Sequence, residues 1–412
     1  MRVLAIGINY WPEQTGISVF TTGRCEYLSE RGHSVTICTG VPYYPQWRIA
    51  DSYRTRPFVR EQHNGVTILR SWMYVPRRVT SVRRLFHEAS FVALSLARAL
   101  IGWPKPDVIF VVSPPLGLSL TAYILSRLWR VPYVYHVADL QPDAAVDLGM
   151  LKPSALTRAL YRLEAIAYDN AAMVSTLTEP MREKIIGKDI AKEKVQLFPD
   201  WADPALFQIP LREGGKSFRE RTGIGARYIV LHAGNMGVKQ GLEVVISAAE
   251  MSSAMTDMVF LLVGDGAMRP NLEKMARDKG LRNVMFLPLQ DNETFHDLLA
   301  AADLTLVTQQ RVVADIVFPS KVITLLAAGR PVVASLNANS EVARVINEAG
   351  AGICVEPENP RALLDTIRSL LADADRRTEM AHRGRAYADA RWSRPATLTT
   401  FERKLTALVS RN

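Results

Sequence analysis

Short apolar runs alternate with stretches of helical period along this chain. The alternation stops once, near residue 200, and then starts again. RVLAIGI (2–8), SVTICTG (34–40), VTILRSW (66–72), DVIFVVS (107–113), PYVYHV (132–137) and MVSTLT (173–178) read as strands. Helices are expected over 18–31, over about 80–101 and along LSLTAYILSRLWR. Unbroken apolar runs predict strands buried on both faces, hence a parallel sheet with helices on either side. FPDWADPALFQIPLREGG (198–215) has Pro, Asp and Gly without a period and reads as a linker. Beyond it come YIVLHAG, MVFLLVGDG, NVMFLPL, LTLVTQ, PVVASL and GICVE, interleaved with helical segments. The fold class is therefore α/β, with two doubly wound, Rossmann-like domains over 1–203 and 204–394. A last helix, about 395–412, is expected to pack back on the first domain. Ligands of such sheets bind beyond the carboxyl ends of the strands, so two facing domains would hold a central cleft between their loops.

A chain of 412 residues is long enough for two such cores, and its 48% apolar content is that of a globular protein. Cys25, Cys38 and Cys354 form no CxxC and no metal-ligand cluster, which fits a reducing compartment. The opening MRVLAIGINYW suits a strand better than a signal peptide. No run approaches the roughly 18 apolar residues that span a bilayer; FVALSLARALIGW is interrupted by Arg98. The formal charge of +9 is concentrated. Residues 48–105 hold eleven Lys or Arg against three acids. Such a patch suits anionic lipid, phosphorylated substrate or nucleic acid, but no nucleic-acid motif accompanies it.

The loops after the strands carry the chemistry. NYWPEQTGIS has a single glycine, Gly16, before a helix, and GDGAMR places Arg269 where a dinucleotide fingerprint needs its third glycine. Neither supports NAD or FAD. Gly16 is either an anion-binding helix start or a glycine required for its φ alone. GNMGVKQGLE (234–243) is not a Walker loop, because Lys239 precedes the last glycine and no Ser or Thr follows. It is either a plain turn with a solvated lysine or a phosphate cradle, with Gly234 and Gly237 giving room and Lys239 giving charge. FPSKVITLLAAGRPVVA starts a helix at Ser320 and Lys321, a second anion site at a neighbouring strand end. His136 closes a buried run, either as a core histidine or as a functional group at a strand end.

PEQTGIS followed by LSERGHSVTICTG, then GNMGVKQGLE, LVGDGAMRPNLE, NVMFLPLQDNE and AAGRPVVAS in that order and spacing, resemble the retaining glycosyltransferases of the GT-B fold, family 4, over essentially the whole chain. HVADLQPDAAVDLGML, FPDWAD and FPSKVITLLAAGRPVV are similar to the bacterial exopolysaccharide group of that family, which includes colanic acid fucosyltransferases. The resemblance implies an N-terminal acceptor domain and a C-terminal domain binding a nucleotide-diphosphate sugar. It implies His136 near the transferred sugar and Lys239 on the diphosphate. It also implies donor contacts from Gly16, Asn235, Gly237, Gly264, Leu289, Asp315, Ser320, Lys321 and Thr324. The acceptor would be lipid-linked or an oligosaccharide, in exopolysaccharide or O-antigen synthesis.

Two glutamates that the family commonly carries, with seven residues between them, fall here on Ile316 and Thr324, although Asp315 adjoins the first. Charge on the leaving diphosphate then falls to Lys239, Lys321 and helix-end N–H groups. No metal or other cofactor is expected, since the DxD match Asp373-Ala-Asp375 lies far from the strand ends. Arg77, Arg78, Arg83 and Arg84 head an apolar helix. They are expected to meet the acceptor or to dock the enzyme on the inner face of the cytoplasmic membrane. An alternative of another class is a sugar-nucleotide epimerase of the same architecture, or a non-catalytic partner that has lost its glutamates.

Overall fold

The structure is a computed structural model that describes residues 1–13, 16–44, 46–78, 80–101, 104–141, 143, 146, 154–211, 215–312 and 320–410. The chain divides into two compact units, Met1–Asp200 with Thr397–Asn412, and Trp201–Ala396.

The first unit runs β1 (Arg2–Ile6), α1 (Ile17–Glu30), β2 (Ser34–Gly40), β3 (Phe58–His63), β4 (Val66–Ser71), α2 (Ser81–Leu100), β5 (Val108–Ser113), α3 (Leu118–Trp129), β6 (Tyr133–Val137), α4 (Ala155–Asn170), β7 (Met173–Thr176), α5 (Glu179–Ile186) and β8 (Val195–Leu197). Its strand order is β3-β4-β2-β1-β5-β6-β7-β8, parallel except for the β3–β4 pair. Within β1, Leu4 and Ile6 enter one core while Val3 and Ala5 enter the other. That two-sided burial is why its sequence has no polar alternation. FVREQH, by contrast, is an edge strand with exposed and half-buried positions alternating, so it shows no apolar run. This strand was not expected, nor were β8, α4 and α5.

The second unit runs α6 (Lys216–Thr222), β9 (Tyr228–Ala233), α7 (Glu243–Met251), β10 (Met258–Val263), α8 (Arg269–Asp278), β11 (Val284–Leu287), α9 (Asn292–Ala301), β12 (Leu304–Thr308), α10 (Ser320–Ala327), β13 (Val332–Ser335), α11 (Glu341–Ala349), β14 (Gly352–Val355), α12 (Pro360–Ala372) and α13 (Ala374–Trp392). Its sheet is wholly parallel with order β11-β10-β9-β12-β13-β14. The chain direction across that sheet reverses between β9 and β12, the topological switch point where doubly wound sheets take ligands.

The stretch read as a linker is packed structure. Residues Pro204–Gln208 form a short 3-10 turn, and Leu206 and Ile209 are buried in the second core. A final helix, α14 (Arg394–Val409), starts in the second unit and ends in the first, where Phe401 meets Phe110 and Phe198 edge-on at 5.0 and 5.1 Å.

Candidate functional site

In the second unit the loops leaving β9 and β10 are pressed together at backbone contact. The Gly234 N–H donates to Val263 O at 2.8 Å and the Met236 N–H to Asp265 O at 2.8 Å. Gly264 has φ +141°, and a Cβ there would lie 1.9 Å from the Gly234 carbonyl oxygen. Only glycine permits that approach. On this face Gly264 is covered by the neighbouring loop. A one-turn 3-10 helix, Val238–Gln240, follows. It is pinned to the end of β12 because Lys239 O accepts from the Gln310 N–H at 3.0 Å and Gln240 O accepts from the Thr308 hydroxyl at 2.6 Å. The GNMGVKQG turn is thus held across the switch point by its own carbonyls, and its lysine is left outward.

Two lysines stand at this place. Lys239 is exposed, and its ammonium has no hydrogen bond or ion pair among the described residues. Lys321, the second residue of α10, lies over Gly234: a Cβ on that glycine would sit 3.0 Å from its Cε and 3.3 Å from its Nζ. Burial lowers the Lys321 amine to about 8, and no acid among the described residues restores the charge. His232, the penultimate residue of β9, is fully buried with both ring nitrogens unpaired. Desolvation, and then Lys321, hold it neutral, well below its ordinary value. A desolvated amine with no acid beside it among the described residues, over a glycine at a helix start, suits an anion.

The other expected donor contacts are dispersed around this centre. Asn235 is exposed, its side-chain oxygen 2.7 Å from where a Cβ on Gly266 would be. The Gly237 N–H donates to Gln240 Oε1 at 3.1 Å. Leu289, beyond β11, is 70% exposed. Thr324 lies one turn into α10, half-buried. Ser320 begins that helix, and Asp315 and Ile316 lie outside the described residues.

The first unit has its own cavity at the carboxyl ends of β1, β2 and β5. It measures about 390 Å³, and its lining includes Asn9, Gly16, Tyr43, Arg84, His87 and Glu88. Gly16 caps α1 with φ +61°, and a Cβ there would meet nothing within 4 Å. The backbone conformation calls for glycine here, and the space above it is open. Arg84 pairs with Glu88 at 3.0 Å, which places it at the cavity and apart from Arg77, Arg78 and Arg83. Those three are exposed and unpaired among the described residues.

His136 lies in the core of the first unit. It is penultimate in β6, fully buried, between Phe110 and Phe198, with Nδ1 on the Ser175 hydroxyl at 3.0 Å. Burial, with the charge of Arg24, keeps it well below its ordinary pKa. Both faces of β6 are buried, so its ring is enclosed whichever side it takes. The titratable group beyond that strand end is Asp139, whose carboxyl is raised by desolvation against the pull of Arg84.

Asp139 and Glu13 were missed from sequence. Glu13 Oε1 accepts the N–H groups of Tyr43 and Tyr44 at 2.9 and 2.8 Å, and Oε2 accepts from Asn9 at 2.9 Å. The signal for each was a lone acid in the loop that follows a strand, in WPEQTG and VADLQP.

Residues 15–201 match the family described as Glycosyl transferase 4-like domain, and residues 216–387 match Glycosyl transferases group 1. Over 378 residues the chain is 36% identical to the putative colanic acid biosynthesis glycosyl transferase WcaI of Escherichia coli (strain K12), covering 90% of this chain and 92% of that protein. Two solved structures are similar in fold. Sucrose-phosphate synthase from Thermosynechococcus elongatus has a TM-score of 0.69 at 18% identity and covers 100% of both chains. Anabaena Alr3699/HepE in complex with UDP has a TM-score of 0.68 at 19% identity, covering 99% of this chain and 100% of that one.

Proposed function

The chain belongs to the GT-B glycosyltransferases of family 4, and on that premise we propose that it takes a sugar from a nucleoside-diphosphate donor on its second unit to an acceptor on its first, with retention, in the assembly of an exopolysaccharide. The observation that carries the donor half is the pair Lys239 and Lys321 at the β9–β12 switch point, two cations without an acid partner among the described residues. The difficult step separates an oxocarbenium-like sugar from a departing diphosphate. Fixed positive groups aimed at that diphosphate stabilise the charge as it develops. Lys321 is held by its packing over Gly234, while Lys239 reaches out from a turn fixed by backbone hydrogen bonds, which leaves its side chain alone to order on the donor. In this proposal the leaving group is stabilised by these amines and by backbone N–H groups, and no step is routed through a metal. The WcaI protein of E. coli is named for colanic acid biosynthesis, and that supports a glycan product here.

Lys239→Ala tests the assignment. Turnover of a nucleotide sugar falls by about 10²- to 10³-fold, the usual loss of one preorganised electrostatic contact, while the circular dichroism spectrum is unchanged. Wild-type turnover in that variant would overturn the leaving-group role. The anomeric configuration of the product, read by nuclear magnetic resonance, decides retention.

The acceptor half includes a lipid surface. No helix among the described residues is long and apolar enough to cross a membrane. The outward row of α2 is nonetheless apolar throughout: Val82, Phe86, Ala89, Ala93, Ala97 and Leu100 are all exposed. Their spacing puts them on one face, and Arg77, Arg78 and Arg83 stand unpaired at its start. An apolar stripe edged with arginine suits the headgroup boundary, which would bring the enzyme to a lipid-linked acceptor. In co-sedimentation at low salt, Leu85→Asp/Phe86→Asp loses binding to vesicles containing phosphatidylglycerol. Equal binding by the wild type and this variant would count against docking through α2.

A further inference from the structure

We propose that the outer faces of α3 and α4 join that of α2 in a single docking surface for an anionic lipid bilayer. The proposal rests on the membrane reading of α2 and extends it to two helices outside the basic segment. The three helices cover one side of the first sheet. Phe91 and Ala99 of α2, Ala122 and Leu125 of α3, and Ala167 and Tyr168 of α4 enter the same core cluster. Residues on the opposite side of each helix therefore face outward together.

That outward side is apolar where a solvated helix would be polar. On α3, Leu120, Ile124 and Leu128 recur every four residues and are 43%, 36% and 60% exposed. On α4, Ala155, Ala159 and Ile166 line a groove of about 490 Å³ with Arg158, Arg162 and Leu163, and Ile166 is 45% exposed. Large apolar side chains in register on adjacent helices form a continuous patch of the kind that marks an interaction surface.

The charges identify what covers it. Arg127 and Arg130 stand at the end of α3, and Arg158 and Arg162 on α4; all four are exposed and none is paired among the described residues. α3 carries no acid. Of the acids on α4, Glu164 is buried on Lys188 at 2.7 Å and Asp169 lies at the far end of the helix. With Arg77, Arg78 and Arg83, the surface presents unpaired arginines around apolar stripes. A second copy of the chain, docked by a two-fold axis on this face, would bring like charge against like charge. An anionic bilayer offers the opposite charge together with an apolar layer, and arginine can lay its stem on the apolar surface while its head meets phosphate.

Flotation of the full chain with neutral phosphatidylcholine vesicles, and with vesicles containing roughly a third phosphatidylglycerol, tests this. The expected result is binding to the anionic vesicles that falls about tenfold or more in Arg158→Gln/Arg162→Gln, since each basic residue near such a surface contributes on the order of a fivefold change. Ile124→Asp/Leu128→Asp falls at least as far. Both sites are exposed, and thermal melting checks that the fold is kept. If these variants partition like wild type while Leu85→Asp/Phe86→Asp does not bind, the extension is overturned and the α2 reading stands. If the wild type binds no vesicle, both fall. Vesicle-independent dimers that dissociate in Ile124→Asp/Leu128→Asp would assign the face to a second copy and overturn the proposal.

Discussion

Lys321 carries a charge that folding makes expensive, and its titration should be visible in donor binding. Its pKa is lowered to about 8 by burial, against an ordinary value of about 10.4 in the unfolded chain. Below about pH 8 the folded protein holds a charged, desolvated amine, and stability is reduced by that cost. As pH rises from about 8 towards 10.4 the folded amine is already neutral, the cost is relieved, and the charge offered to a diphosphate is lost. The affinity for a nucleoside diphosphate, measured by titration calorimetry, is therefore expected to be flat near pH 7.5 and to weaken by up to about tenfold per unit above pH 8. Lys321→Arg, whose guanidinium stays charged, flattens that profile. A wild-type affinity that holds to about pH 9.5 would remove Lys321 from the donor site. His136 shows the other fate of a buried base. Its position two residues before Ala138 gave no sequence cue to which side of β6 it takes, and its neighbours Phe110 and Phe198 come from distant parts of the chain.

At the level of loops and strands, carbonyls and carboxylates hold the site's turns more than side-chain packing does. Glu13 is the clearest case: its pKa is raised by burial, although two backbone N–H groups and Asn9 donate to it. Glu13→Ala leaves the Tyr43 and Tyr44 N–H groups without an acceptor, a loss of about 2–4 kcal/mol at the usual cost of an unpaired buried donor. Glu13→Gln keeps one acceptor oxygen and retains most of that stability. Chemical denaturation reads the difference, and equal loss in both variants would show that charge, not acceptance, is what the loop needs. Gly264→Ala sets a Cβ against the Gly234 carbonyl at 1.9 Å with φ +141°. A loss of about 3 kcal/mol or more is expected in the same assay. Most strands of both sheets were legible because two-sided burial writes a nearly unbroken apolar run, as in VIFVVS and MVFLLV. FVREQH was not, since an edge strand with one wet face reads as polar, nor was the packing of Leu206 and Ile209, whose segment has no period. The lysine turn was legible as glycine plus charge. The acids of the first unit were not, because only the fold brings Glu13 to Tyr43 and Asp139 to Arg84.

For the whole chain, helix α14 joins the first unit across nearly the full sequence separation. α14 leaves the second unit, yet Phe401 and Leu405 are 1% and 0% exposed in the core of the first, beside Phe110 and Phe198. Tyr27 and His33 donate to, or share a proton with, Glu402 on the same helix at 3.2 and 3.0 Å. The first unit is thus built from two segments far apart in sequence, and its stability depends on the second of them. Phe401→Ala removes a ring from a core assembled from three distant segments, at a cost of about 3–5 kcal/mol. Calorimetry is expected to show the transition of the first unit falling by roughly 10 °C, while the transition of the second unit, whose own cores do not include this residue, keeps its midpoint. Truncation after Ala396 goes further, because Leu405 and the Glu402 hydrogen bonds leave together, and the first unit then loses its cooperative transition. If both variants lowered the two transitions equally, the two units would unfold as one, and α14 would be a support for the entire chain.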